Sequence, residues 1–242
     1  MEQSQPPAKL PAPTEQSLFA NEVQGVVSGG NSAVQFVSTN LWMRRLSSVL
    51  VLIVFVFFIA SSSRTLWTDV FVYHPILMSI AFFVIVPELL CSIAALQGYL
   101  RELRPRHDVL LFHRRCALAL KVVSAVGIVA TEWSKFQRSK MHFVTWHARI
   151  GGVCELSQVM EVLIGLIIYY GILDHRLTIS QRARLRLAHR CLGVTVVVTG
   201  AISMALGMLS HFALRAFGML FLRLVFAVLP STFAIWGYFG SY

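Results

Sequence analysis

Charged residues are scarce in this sequence: Asp, Glu, Lys and Arg make up 13% of its 242 residues. A soluble domain carries roughly 25%. With 56% hydrophobic residues and a mean hydropathy of +0.68, the chain does not fit that class and reads as a polytopic membrane protein. Cysteine motifs are missing too. Cys91, Cys116, Cys154 and Cys191 each fall in or beside an apolar run, and none forms CxxC or CxxCH. That spacing excludes a disulfide framework, a zinc site and covalent haem attachment, leaving four small packing residues. The opening "MEQSQPPAKLPAPTEQ" has neither a basic n-region nor an apolar h-region. No cleavable signal is expected, and insertion must use internal spans. No soluble catalytic module, flavin motif or nicotinamide-binding motif is visible, so any electron donor must be small or diffusible. The net charge of +10 does not indicate nucleic acid, because the basic residues lie between apolar runs, where they set topology and attract small anions.

Six apolar runs are present, over about 46–64, 73–98, 110–131, 146–172, 188–210 and 217–240. Each approaches the roughly 20 residues that cross a bilayer, and each must be helical to satisfy its backbone in lipid. Short linkers make successive spans antiparallel neighbours. The expected fold is therefore an all-α membrane protein: a disordered cytosolic tail over 1–45 and a six-helix domain over 46–240. Counting Lys and Arg near the span ends puts twelve on the tail's side and six on the other. This bias favours an integral multi-pass protein with both termini cytosolic.

Histidine is placed with unusual regularity. His74, His113, His147 and His189 stand at or near the starts of the second to fifth spans, at intervals of 39, 34 and 42 residues. Antiparallel geometry puts His74 and His147 at one membrane level, on the non-cytosolic side, and His113 and His189 at the other. Two histidines at equal depth can grip a haem iron from both faces, a closed coordination suited to electron transfer. Ala117, Gly151 and Gly193, one turn deeper, remove bulk where a porphyrin would lie. The pattern alone leaves two other readings open: polar tips at the headgroups, or a different metal. His107, His175 and His211 fall in expected loops, and His142 suits either substrate contact or plain loop placement.

The stretches "HPILM" at His74, "KMHFVTWHARIG" from Lys140 to Gly151 and "HRCLG" from His189, with His113 opening the third span, resemble the cytochrome b561 family, particularly its short stand-alone members. The likeness covers roughly residues 45–240. It implies six helices, the middle four forming a bundle around two non-covalent b-type haems. It further implies ascorbate-dependent electron transfer to monodehydroascorbate or ferric iron (as a ferric chelate) across the membrane. By this resemblance the axial ligands are His74 and His147 for the non-cytosolic haem and His113 and His189 for the cytosolic one. Lys140 and His142 become non-cytosolic substrate candidates, and Arg104, Arg184 and Arg186 cytosolic ones. The plasma membrane and an endomembrane vesicle, lysosome or vacuole all suit such a protein, and a homodimer is compatible with it.

Charges inside spans are costly and mark function. Lys121 and Glu155 each lie eight residues past a histidine, about 12 Å along their helices from opposite ends, and are expected to pair near the midplane. Glu88 and Glu161, fourteen residues from His74 and His147, are expected near the cytosolic level. Two competing functions remain at this point: a haem-free scaffold, or a small transporter coupled to ions through Lys121, Glu155 and Glu88.

Overall fold

The computed structural model describes residues 40–62, 69–97 and 106–239, all helices and short connections without a strand among them. Among the described residues, six helices are long and apolar enough to cross a membrane. They are α1 (Asn40–Ser62), α2 (Val70–Leu96), α3 (Arg106–Gln137), α4 (Trp146–Tyr170), α5 (Ile179–Gly207) and α7 (Leu220–Phe239). A short helix, α6 (His211–Phe217), precedes the last.

Four of the helices begin earlier than hydropathy suggests, whereas α4 begins where expected and α7 three residues later. α1 opens at Asn40, inside the expected tail; the remainder of that tail, residues 1–39, lies outside the described residues. α3 starts at Arg106 and α5 at Ile179, nine residues before the apolar run. A capping box fixes that start: Thr178 Oγ1 accepts from the Gln181 N–H while the Gln181 side chain accepts from the Thr178 N–H. The first turns of α5 hold Arg182, Arg184 and Arg186, good helix formers that no hydropathy window counts as membrane. His113 and His189 therefore sit well inside their helices rather than at the start. Two expected loop histidines are also helical: His107 is the second residue of α3 and His211 opens α6, whereas His175 occupies the turn after α4.

α2 changes pitch along its length. Asp69 caps its opening 3-10 turn by accepting from the Phe71 N–H at 3.0 Å. The α-helical stretch Tyr73–Ser79 is followed by a π turn, Ile80–Ile85, before α-helix resumes at Val86. The cause lies in Pro87, which has no N–H to donate and crowds the carbonyl four residues back. The Val86 N–H reaches Ala81 O instead, the wider i–5 spacing of a π turn.

α4 lies along α5; α2 packs on α3 and α7, α3 on α4, and α5 on α7. The centre of the α2–α5 bundle is filled by Ala81, Phe82, Val86, Leu120, Cys154 and Val196. Phe82 sits where Gly200 of α5 has no side chain; a Cβ there would overlap its ring. A second core, rich in aromatic edges, joins α1, α2, α6 and α7 through Phe55, Phe83, Phe217 and Phe226. Outward-facing Val122, Val126, Val129, Leu156, Leu163 and Val198 are exposed, as lipid-facing positions should be.

Candidate functional site

The four histidines converge in two pairs. The His74 and His147 ring centres lie 5.9 Å apart, and those of His113 and His189 lie 6.4 Å apart. Each ring is held by its Nδ1. In His74 it faces Gly127 O at 3.1 Å, in His147 Ser203 O at 2.8 Å, and in His189 Glu161 O at 3.3 Å. His113 Nδ1 lies 3.0 Å from Ser92 Oγ, whose own hydroxyl donates to Leu89 O and so leaves a lone pair for the ring. A carbonyl or a committed hydroxyl accepts only from a protonated Nδ1. In all four rings the lone pair is thus left on Nε2, the tautomer of a metal ligand with a hydrogen-bonded outer shell.

These contacts also fix the depth of each pair. Gly127 stands fourteen residues beyond His113 on α3, Glu161 fourteen beyond His147 on α4, and Ser203 fourteen beyond His189 on α5. Three helices therefore agree on a separation of about 21 Å between the levels along the bundle.

A b-type haem fits this donor set. A metal–imidazole bond of about 2 Å, plus roughly 1.1 Å from nitrogen to ring centre, sets two opposed imidazoles about 6 Å apart, close to both observed separations. One turn deeper than His113 and His189, a largely apolar cavity is lined by Leu89, Ala117, Leu120, Gln158, Glu161 and Gly193. Two further glycines seat the rings. A Cβ on Gly165 would come within 3.0 Å of His189 Cε1, and one on Gly207 within 3.2 Å of His147 Cε1. Gly151 does a different job from the one its position suggested: a Cβ there would meet Ser203 Oγ at 3.1 Å, so it permits close approach of α4 to α5.

Between the levels, Lys121 Nζ and the Glu155 carboxylate form an ion pair across α3 and α4. Ser124 Oγ lies 3.0 Å from Glu155 Oε2 and 2.9 Å from Gln158 Oε1, and the Gln158 amide reaches Cys154 Sγ at 3.6 Å. Glu88, toward the His113 level, is bridged by both Arg44 (2.6 Å) and Arg45 (2.8 Å) of α1.

At the opposite mouth, Lys140 and His142 are exposed in the 138–145 loop. His142 Nδ1 contacts the Glu132 carboxylate, whose other oxygen takes Lys135 Nζ at 2.6 Å. The loop is pinned by Arg138 to Asp69 (2.6 Å) and by Arg149 Nε donating to Phe143 O. Burial works to raise the Asp69 pKa, but the Phe71 N–H, the Arg138 guanidinium and Ser134 outweigh it and hold the carboxyl below the usual range. On the other side, Arg184 and Arg186 are exposed on the polar extension of α5; Arg104 lies outside the described residues. Arg114, beside His113, is stacked on Tyr169 at 4.3 Å and donates to Tyr170 Oη at 3.0 Å.

Sequence reasoning did not single out Ser92, Gly127, Gly165, Ser203 or Gly207. A glycine or serine inside an apolar helix signals close packing of some kind, but its partner is set by another helix.

The family model for eukaryotic cytochrome b561 matches residues 73–215, a segment containing all four histidines. The transmembrane reductase CYB561D2 of Bos taurus is 29% identical over 165 residues, covering 66% of this chain and 70% of that protein. No solved structure matches the chain.

Proposed function

The chain belongs to the eukaryotic cytochrome b561 family, integral multi-pass proteins of transmembrane electron transfer, and from that premise we propose that it carries electrons from cytosolic ascorbate through two b-type haems. His113 and His189 hold the haem on the cytosolic side, and His74 and His147 hold the other. Monodehydroascorbate or a ferric chelate takes the electron on the far side. Both termini are cytosolic, with residues 46–240 forming the redox domain and the preceding tail lying outside it. The observation that carries the reading is the pairing of four Nδ1-anchored histidines at two depths.

When bound, haem would supply reversible one-electron chemistry. The chain's own residues do the rest. Carbonyls of Gly127, Glu161 and Ser203 and the Ser92 hydroxyl aim each Nε2 inward. Phe82, Leu120 and Val196 pack in an apolar core between the levels. Arg184 and Arg186, exposed at the cytosolic mouth, attract the ascorbate monoanion. Lys140 and His142 receive the acceptor at the other mouth, in a loop held by Asp69 and Glu132. Paired histidine levels have no purpose in a haem-free scaffold or an ion-coupled transporter, and family membership favours neither.

The test is haem content per chain in mild detergent, with ascorbate-reduced minus oxidised spectra. Two b-type haems, reducible by ascorbate, are expected. Folded protein without haem after haem supplementation, or haem indifferent to ascorbate, would overturn the proposal.

A further inference from the structure

The two histidine levels differ in one respect that the reaction described so far does not use. At the His74–His147 level both rings are anchored by neutral backbone carbonyls. At the His113–His189 level, Glu161 presents its carbonyl to His189 Nδ1 at 3.3 Å and also its carboxylate, with Oε1 at 3.6 Å from the same nitrogen. Potential ligand atoms of His113, Glu161 and His189 all lie within 4.8 Å of one another, and among the described residues no other such cluster of three forms.

Among the described residues, Glu161 also differs from the other glutamates of the bundle. Glu88 faces Arg44 and Arg45, Glu132 faces Lys135, and Glu155 faces Lys121. Among the described residues, Glu161 has no Lys or Arg within 4 Å, and its carboxylate lies 3.6 Å from His189 Nδ1 instead. Its side chain is 12% exposed. A carboxylate at that depth with no compensating Lys or Arg among the described residues is costly and marks function by default.

We propose that Glu161 is a positioning residue that makes the His113–His189 level the lower-potential of the two. This rests on the functional reading above. Negative charge beside the Nδ1–H increases the basicity of the imidazole, and together with the charge itself favours the more positive, oxidised iron. One electron leaving this level for the His74–His147 level then moves downhill and outward. The electron lost at the first level is the one gained at the second, with no bond made or broken.

The experiment is a potentiometric titration of the full-length purified protein, followed in the visible spectrum, with haem content measured on each sample. Two midpoints are expected in the wild type. E161Q should shift the lower one upward and leave the upper in place, with haem content unchanged, whereas E161D should keep both near wild type. Unchanged midpoints in E161Q, or a shift confined to the upper one, would overturn the inference. H147A and H189A provide an assignment that needs no change at Glu161. The haem remaining in H147A should titrate at the lower midpoint and that in H189A at the upper; the reverse order would also overturn it. A wild-type protein that binds no haem defeats the functional reading itself, and a haem-loaded protein that fails these titrations defeats only the inference.

Discussion

His147 and Ser203 are 56 residues apart in the chain, yet His147 Nδ1 sits 2.8 Å from the Ser203 carbonyl oxygen, and Ser203 Oγ donates back to the His147 carbonyl at 3.2 Å. This reciprocal contact between the start of α4 and the end of α5 fixes both the ring's tautomer and the depth of one histidine level. Substituting any one of the four histidines by alanine should remove about half of the bound haem, because each pair serves one level. Pyridine haemochrome assays on H74A, H113A, H147A and H189A check this. Full retention of haem in any of them would exclude that residue as an axial ligand.

The glycines that seat the rings should be intolerant in a graded way. G165V and G207V place bulk on His189 and His147, whose nearest ring atoms would already lie within 3.0 and 3.2 Å of a Cβ. Each variant should lose most of the haem at its own level while the other level stays loaded. G127A is the contrast: its Cβ would meet the flexible end of Met78 at 3.0 Å, so haem content should stay near wild type. Spectra of the three variants, prepared alike, separate the cases.

Lys121 and Glu155 should be more sensitive singly than together. Removing one partner of this half-buried pair leaves a charge uncompensated inside a span, which costs about 2.5–3.5 kcal/mol at a helix centre. K121M and E155Q should each lower the thermal unfolding midpoint in detergent, and the double variant should fall by less than the sum. Strict additivity would argue against the pair as a unit.

Asp69 gives the mouth nearest His74 and His147 a pH dependence of definite sign. Its folded pKa is depressed, so the contribution is present above the unfolded carboxylate value, about pH 4, and is lost as pH falls through the lower folded value. Arg138 is 48% exposed, and screening limits such a pair to about 0.2–1 kcal/mol. D69N should be slightly less stable than wild type at pH 7, with the gap closing below about pH 4. Thermal unfolding at both pH values checks it; a gap that widens in acid would contradict the sign.

Much of this protein is written locally. A bilayer core of about 30 Å allows a chain little choice but apolar helices, so six runs of sufficient length determine six spans. The regular intervals from His74 to His189 determine, through antiparallel alternation, which histidines share a depth. Capping residues such as Thr178 and Gln181 were equally present to be read, but hydropathy reports insertion rather than helix formation, and it set the start of α5 nine residues late. Tertiary structure alone decided the outer shell of the site. A carbonyl or a missing side chain has no signature in its own segment, because its value depends on what another helix brings against it. Gly165 matters because His189 arrives there, Ser203 because His147 does. Glu161 could be placed near the His113–His189 level by counting turns, but that no Lys or Arg among the described residues pairs with it is a property of the assembled bundle. Depth follows from the rise of one helix; contact and orientation follow from the rotation of each helix against the next, and packing sets that rotation.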